Sequence, residues 1–327
     1  MTNASEPFWS VMMPVYRPDI HYFRLALEGV LKQDEGPERM QIEVVDDCSP
    51  DGDVEKMVRE IGGDRVAFSR TPKNLGLAGC WNTCIDRARG KWVHLFHQDD
   101  LVLPGFYKAM AQADASSENV GAAFCRHAWC DGEGHWQRIS ELHAKAPEIL
   151  RDFSEKILID PQIQTPTIVV KRSVYEKLGR FRSDLKYTLD WEMWHRIASQ
   201  YEYWFEPSIL ALYRQHSGAE TSRIRKVGGF AQDYQKLFDG FSSSCMDRRH
   251  RKILDKAWER YAKHIAYEAR GLLVAGNNLL ALEQLFYGLS LRWNFLALCE
   301  VPKFFFLWMR LIASKCKANF FKFISDR

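Results

Sequence analysis

Several things are scarce or missing in this 327-residue chain. No uncharged apolar run reaches the ~18 residues that span a bilayer, which argues against a membrane-spanning helix. No secretory leader is expected from MTNASEPFWSVMMPVY, which lacks a basic start and runs straight into a strand pattern. The eight cysteines are scattered rather than spaced as a disulfide framework, which suits a reducing cytosol. Net charge is nearly absent, with 45 basic against 42 acidic residues, so overall charge does not suggest a nucleic-acid partner. Internal repeats and low-complexity tracts are missing too.

What is present is an ordinary globular composition, 46% hydrophobic and 27% charged, enough for a sizeable core. Short apolar runs alternate with helical patterns. Strands are expected at Phe8–Val15, Gln41–Val45, Arg65–Ser69, Trp92–Phe96, Gly121–Trp129, Thr167–Lys171 and Ile209–Tyr213. Between them, Asp19 caps a helix with Phe23, Leu27, Val30 and Leu31 on one face. Helices are also expected at 53–61, Leu77–Arg89 with Gly90 as its C-terminal stop, Phe106–Ala113, Ser173–Leu178 and from Asp190 onward. Residues 131–165 give a poor periodic signal, and RQHSGAETS (214–222) reads as a loop. From Phe230 the chain reads as helices only.

This alternation predicts an α/β fold with a mixed, mostly parallel sheet flanked by helices. Ligands of such sheets bind outside the carboxyl ends of the strands. Three polar clusters fall at such ends: Pro14–Tyr16, Asp46–Asp47 and His97–Asp100. The last is the most pointed, because LFHQDDLVLP places two adjacent carboxylates at the end of an apolar strand. Like charges side by side repel, so the pair is expected to face something positive, or else to lie in a solvated turn.

Taken in order, VMMPVYRPD (11–19), EVVDDCSPDG (43–52), NLGLAGCWN (74–82), ARGKWVHLFHQDD (88–100), LDWEMWHR (189–196) and YRQH (213–216) resemble glycosyltransferase family 2, enzymes of the GT-A fold. The resemblance covers about the first two-thirds of the chain. It implies an inverting transfer of a sugar from a nucleoside-diphosphate sugar to a hydroxyl acceptor, with a divalent metal, Mn²⁺ or Mg²⁺, at the diphosphate. Pro14 and Tyr16 would line the base pocket, and Asp46 and Asp47 would contact base or ribose. Asn74, Gly76 and Asn82 would shape the wall near the diphosphate. Asp99 would ligate the metal, His216 would complete its site, Asp100 would stand behind it, and Asp190 would be the catalytic base.

Two positions depart from the family pattern. His97 replaces the first carboxylate of the Asp-x-Asp motif and is expected to face the donor. Leu189 replaces the acid before Asp190. Plainer readings stay open: Asp190 as a helix cap, His216 as a solvated loop residue, Asp46–Asp47 as a turn pair. The departures also leave open a non-catalytic relative that binds nucleotide sugar or a membrane partner. A receiver-like Mg²⁺ domain of roughly 120 residues would leave Asp190 and YRQH unexplained. A zinc site from Cys125, His127, Cys130 and His135 is disfavoured, because its spacing is not that of a tight knuckle.

The expected organisation is a GT-A domain over 1–225, a helical region over 226–300 and a basic amphipathic tail over 301–327. That tail holds six basic residues and one acidic one. Phe304, Phe305, Trp308, Leu311 and Ile312 can share one helical face, so 301–323 is expected to make a peripheral membrane contact, the plainer reading being a final amphipathic helix packed on the domain. With a glycan or lipid-linked glycan acceptor, this places the protein at the cytoplasmic face of an inner membrane, in cell-surface polysaccharide or lipopolysaccharide assembly.

Overall fold

The computed structural model describes residues 6–161, 163–243, 247–291 and 301–310, and divides the chain into two compact units, 1–219 and 220–327. The first unit begins β1 (Trp9–Val15), α1 (Ile20–Leu31), β2 (Met40–Asp46), α2 (Val54–Gly62), β3 (Ala67–Arg70), α3 (Gly76–Arg87) and β4 (Trp92–Leu95). These four strands are parallel neighbours in the order β3-β2-β1-β4. Helices cover both faces, so β1 and β2 are buried along their whole length. That burial encloses the polar residues of β2 as well. Gln41 accepts from Ser10 Oγ at 2.6 Å and donates to Glu43, which also accepts from Ser69 and pairs with Arg87.

The chain continues through β5 (Leu101–Val102), α4 (Phe106–Met110), α5 (Ala113–Ser116), β6 (Val120–Cys130), β7 (Trp136–Ile139), β8 (Glu148–Leu150) and α6 (Phe153–Ile159). Then come β9 (Ile168–Lys171), α7 (Arg172–Leu178), α8 (Leu189–Ala198) and β10 (Glu202–Arg214). The full sheet order is β3-β2-β1-β4-β9-β6-β10-β5, with β7 added on β6 and β8 on β10. β9 is antiparallel to both β4 and β6, while β6 and β10 run parallel. The sheet is therefore mixed, with its parallel part at the N-terminal side.

Three local differences from the sequence reading have physical causes. β10 starts seven residues earlier than Ile209, because Pro207 interrupts the apolar pattern and the strand passes it with register shifts around Ile209. β7 is exposed at every position, so it has no buried face to leave a signature in 131–165. Gly90 is not a left-handed helix stop. α3 ends at Arg87, and Gly90 is absent from the positive-φ glycines. A Cβ there would lie 2.5 Å from Trp9 C and 2.6 Å from Ser10 N, so the glycine lets the chain pass against the β1 backbone.

The second unit is helical among its described residues: α9 (Glu220–Val227), α10 (Phe230–Ser243), α11 (Arg248–Val274), α12 (Asn278–Leu291) and the stretch 301–310. Phe238 packs on Trp258 at 4.5 Å and Tyr234 on Tyr261 at 4.7 Å, joining α10 to α11. Gln284, fully buried on α12, accepts from Ala231 N and donates to Gln232. Phe304 is buried rather than presented outward; Phe306 and Met309 are exposed. Leu311, Ile312 and the rest of the expected membrane-contact stretch lie outside the described residues.

Candidate functional site

The carboxyl ends of β1, β2 and β4 converge, and side chains tie them together. Gln98, between His97 and Asp99, accepts from Tyr16 N at 2.9 Å and donates to Tyr16 O at 3.2 Å. Ser49 Oγ accepts from Arg17 N and donates to Asp46 Oδ1. The loops after the three strands thus form one connected rim, held partly by positive φ at Arg17 and Cys48. Pro14 is buried within β1, and the partly exposed Tyr16 stands at the rim.

Asp46 and Asp47 are both buried, and their carboxylates are already engaged. Asp46 accepts from Ser49 and from Arg70 Nε at 2.5 Å. Asp47 accepts from Leu75 N at 2.8 Å, Gly76 N at 2.9 Å and Thr71 Oγ1 at 3.1 Å. Leu75 offers no side-chain cap to α3, so the Asp47 carboxylate takes up the first free N–H groups of that helix. Asn74 closes the same turn through Asp47 O and Gly76 N, and Gly76 takes φ +72°. Asn82 sits further along α3. Its amide clips the backbone of Phe181, donating to O at 3.0 Å and accepting from N at 2.9 Å.

The pair Asp99–Asp100 lies where β4 ends and β5 begins. β5 is only two residues long, yet it pairs antiparallel with β10, Leu101 opposite Leu212 and Val102 opposite Ala211. That pairing brings the end of β10 to the carboxylates. Arg214 N donates to Asp100 Oδ1 at 2.9 Å, and Arg214 Nε donates to Asp99 O at 2.9 Å. The rest of this guanidinium binds the carbonyls of Asp131 and Gly132 and lies 4.7 Å from the Tyr22 ring. His216 Nε2 stands 2.9 Å from Asp99 Oδ2, its ring 4.9 Å from Tyr22. The YRQH segment was legible as a motif; the role of Arg214 in seating both aspartates was not. The only available signal was that a basic residue ends a strand next to an acidic turn.

His97 completes the cluster. Its Nδ1 is 3.5 Å from Asp100 Oδ2, and its ring lies 5.1 Å from that of Trp81, a buried α3 residue. Burial works against protonating His97, but Asp100, Asp99 and Asp190 together raise its pKa above the ordinary value. Burial pushes the Asp100 carboxyl upward. The charge of Asp190 therefore reaches His97, although the two are far apart in sequence. Asp190 is not the helix cap: α8 begins at Leu189 after Thr188, and Asp190 Oδ1 accepts from Trp191 N at 2.8 Å.

Donor atoms of His97, Asp99 and Asp100 lie within 4.8 Å of one another. Asp100 is 1% exposed, its Oδ2 facing only His97 Nδ1 at 3.5 Å, and His97 Nε2 is enclosed without a hydrogen-bond partner. Buried polar atoms left open in this way suit a ligand-binding group, and the mixed carboxylate–imidazole set suits a divalent cation. The other such group among the described residues, Asp131, Glu133 and His135, is partly to fully exposed. No zinc set forms from Cys125, His127, Cys130 and His135, since Cys125 packs in the main core and Cys130 in a separate small cluster.

The sequence model described as Glycosyl transferase family 2 matches residues 10–179. Succinoglycan biosynthesis protein ExoO of Rhizobium meliloti is 35% identical over 158 residues, covering 48% of this chain and 40% of that protein. S. aureus TarS 1–349 in complex with UDP-GlcNAc superposes with a TM-score of 0.62 at 17% identity, over 78% of this chain and 73% of that one. The mannosyltransferase PcManGT of Pyrobaculum calidifontis, in complex with GDP-Man and Mn²⁺, gives 0.57 at 18% identity, over 91% and 79%. The fold is thus of GT-A type.

Proposed function

Because this chain belongs to glycosyl transferase family 2, we propose that it moves a sugar, with inversion, from a nucleoside-diphosphate sugar to a hydroxyl of a glycan or lipid-linked glycan acceptor. The observation that carries this reading is the assembly of His97, Asp99 and Asp100 with Arg214 and His216 at one end of the sheet. Two neighbours superposed above were seen with UDP-GlcNAc and with GDP-Man and Mn²⁺, which supports a nucleotide-sugar donor. The likeness to ExoO supports a setting in polysaccharide assembly.

Asp99 and Asp100, with His97 and His216, would hold a divalent cation against the donor diphosphate. When bound, that cation neutralises the charge that grows on the departing diphosphate. Asp190 accepts the proton of the acceptor hydroxyl, whose oxygen attacks the anomeric carbon as the nucleoside diphosphate leaves from the opposite side. Asp47 and Asn74 hold the 74–76 turn beside the donor, while Pro14 and Tyr16 border the base. Asp46 and Asn82 act behind them by fixing the rim. The exposed Phe306 and Met309 and the basic residues of 301–327 would rest on the cytoplasmic face of an inner membrane.

Calorimetry with UDP, GDP and dTDP, with and without Mn²⁺, tests this reading. One nucleotide is expected to bind tightly with Mn²⁺, and Asp99→Ala to lose that binding. If none of the three binds, the donor site is wrong. Binding without transfer or donor hydrolysis would leave a nucleotide-sugar-binding relative.

A further inference from the structure

β7 has no buried position, yet it carries a tryptophan. Trp136 is 50% exposed and is held by pairing with the end of β6, Trp136 opposite Cys130 and Arg138 opposite Trp129. Core packing does not account for so large an apolar side chain in that place. We propose that the β6–β7 hairpin is a saccharide subsite for the acceptor: a pyranose ring of the acceptor glycan lies on the Trp136 indole, and polar groups of the same hairpin take its hydroxyls. The inference rests on the transfer reading above and names where its acceptor sits.

The hairpin turn is fastened to the acidic pair by a single guanidinium. Arg214 Nη1 donates to Asp131 O at 3.2 Å and to Gly132 O at 2.8 Å, while its Nε donates to Asp99 O at 2.9 Å. In the β6–β10 ladder Arg214 also stands opposite Cys130, the residue that pairs with Trp136. The turn therefore borders the group that would hold the donor diphosphate. A glycan whose terminal residues lie on the hairpin is brought beside the donor.

A pyranose shows C–H groups on its ring faces and hydroxyls around its edge. It needs a flat apolar surface ringed by hydrogen-bonding groups. Indole supplies the surface at low conformational cost. The ring of polar groups is on the same hairpin. Asp131 accepts from His135 N at 2.9 Å and from Gln137 Nε2 at 3.0 Å, which orients both residues and leaves the Gln137 amide oxygen and the His135 Nε2 for hydroxyls. Among the described residues, Arg138 is held by the Trp129 ring at 3.7 Å rather than by a carboxylate, so its N–H groups are available too. An exposed tryptophan alone would suit a second copy of the chain equally well. The polar groups and the link through Arg214 decide for a sugar.

The test is saturation-transfer NMR on the full chain with UDP or GDP and Mn²⁺ present. The probes are the methyl glycosides of glucose, galactose, mannose, rhamnose, N-acetylglucosamine and glucuronic acid, with the matching disaccharides. At least one is expected to receive saturation, strongest at the C–H protons of one ring face. The signal is expected to disappear in Trp136→Ala and to be largely kept in Trp136→Phe. Affinity should fall by about 10-fold or more in Trp136→Ala, as for an aromatic anchor. No saturation of any probe in wild type, or an equal signal in Trp136→Ala, overturns the inference. A parallel loss of UDP or GDP binding in Trp136→Ala also overturns it, because Trp136 would then serve the donor. Self-association that Trp136→Ala abolishes would give the hairpin to a second copy instead. Should Trp136→Ala fail to fold, Gln137→Ala decides, and an unchanged affinity there overturns the proposal. Nucleotide binding without any sugar signal removes this inference alone and leaves the donor reading standing. Sugar binding without any nucleotide removes the transfer reading, and with it the acceptor role of the hairpin.

Discussion

His94 and His97 lie three residues apart in contrasting surroundings. His97 sits among carboxylates, whereas His94 is fully buried, stacked on Phe106 and bound between Tyr107 Oη and Pro166 O, each at 3.2 Å. Burial drives the His94 pKa down to about 3, and burial with Arg138 and Arg126 does the same to His127. Both are neutral in the folded protein. The unfolded chain takes up these protons near pH 6.5, so their contribution to stability is complete above that pH and is lost as pH falls toward 3. The slope is about 1.4 kcal/mol per pH unit for each excluded proton. Urea midpoints between pH 7 and 5 should fall accordingly, and His94→Gln should remove one proton's share of the fall. A pH dependence unchanged by that substitution would show His94 titrating normally.

Gly90 matters at the same scale for a steric reason. The atoms a side chain would meet are the main chain of β1, which cannot step aside. Gly90→Ala is expected to destabilise by about 1–3 kcal/mol, as overpacking does, and to lower the melting temperature measured by scanning calorimetry. A helix-stop glycine would need positive φ instead, so the two explanations differ in kind.

Among the elements, the shortest strand has a large structural consequence. β5 contributes two residues, but its pairing with β10 sets Arg214 and His216 over Asp99 and Asp100. A second such link is Asn82, whose amide satisfies both backbone groups of Phe181 and so fixes the connection that leads from α7 to α8. Asn82→Ala leaves those groups unpaired, at a cost of about 1–3 kcal/mol. Since α8 carries Asp190, turnover is expected to fall more than nucleotide affinity. Parallel measurement of donor turnover and UDP binding checks this, and equal losses in both would place Asn82 at the donor instead.

For the whole molecule, charge is concentrated rather than abundant. The stretch 301–327 holds six basic residues and one acidic one, which leaves the remainder of the chain slightly acidic. Basic groups near an anionic surface contribute about 1 kcal/mol each, and salt screens them. Exposed Phe306 and Met309 add apolar contact. The full chain is expected to sediment with vesicles containing phosphatidylglycerol, less so at high salt, and not with neutral vesicles. Deletion of 301–327 should abolish the effect; sedimentation that survives the deletion would move the contact elsewhere.

The sequence by itself determined the alternation of strands and helices, the strand ends that carry polar clusters, and the order of motifs that marks the family. These are local signals: burial on both faces turns a strand into an apolar run, and a ligand at a strand end requires polar residues just after it. The acidic pair of LFHQDD was legible for this reason. Only the tertiary structure decided what each polar residue meets. Asp47 caps α3, Gln98 ties His97 and Asp99 to Tyr16, Arg214 seats both aspartates, and Gly90 makes way for β1. Each of these contacts joins residues at least 27 apart in sequence, with partners chosen by sheet order. The β5–β10 pairing is the plainest case, because two residues carry no periodicity to read, yet strand registry makes them neighbours of a motif more than a hundred positions away.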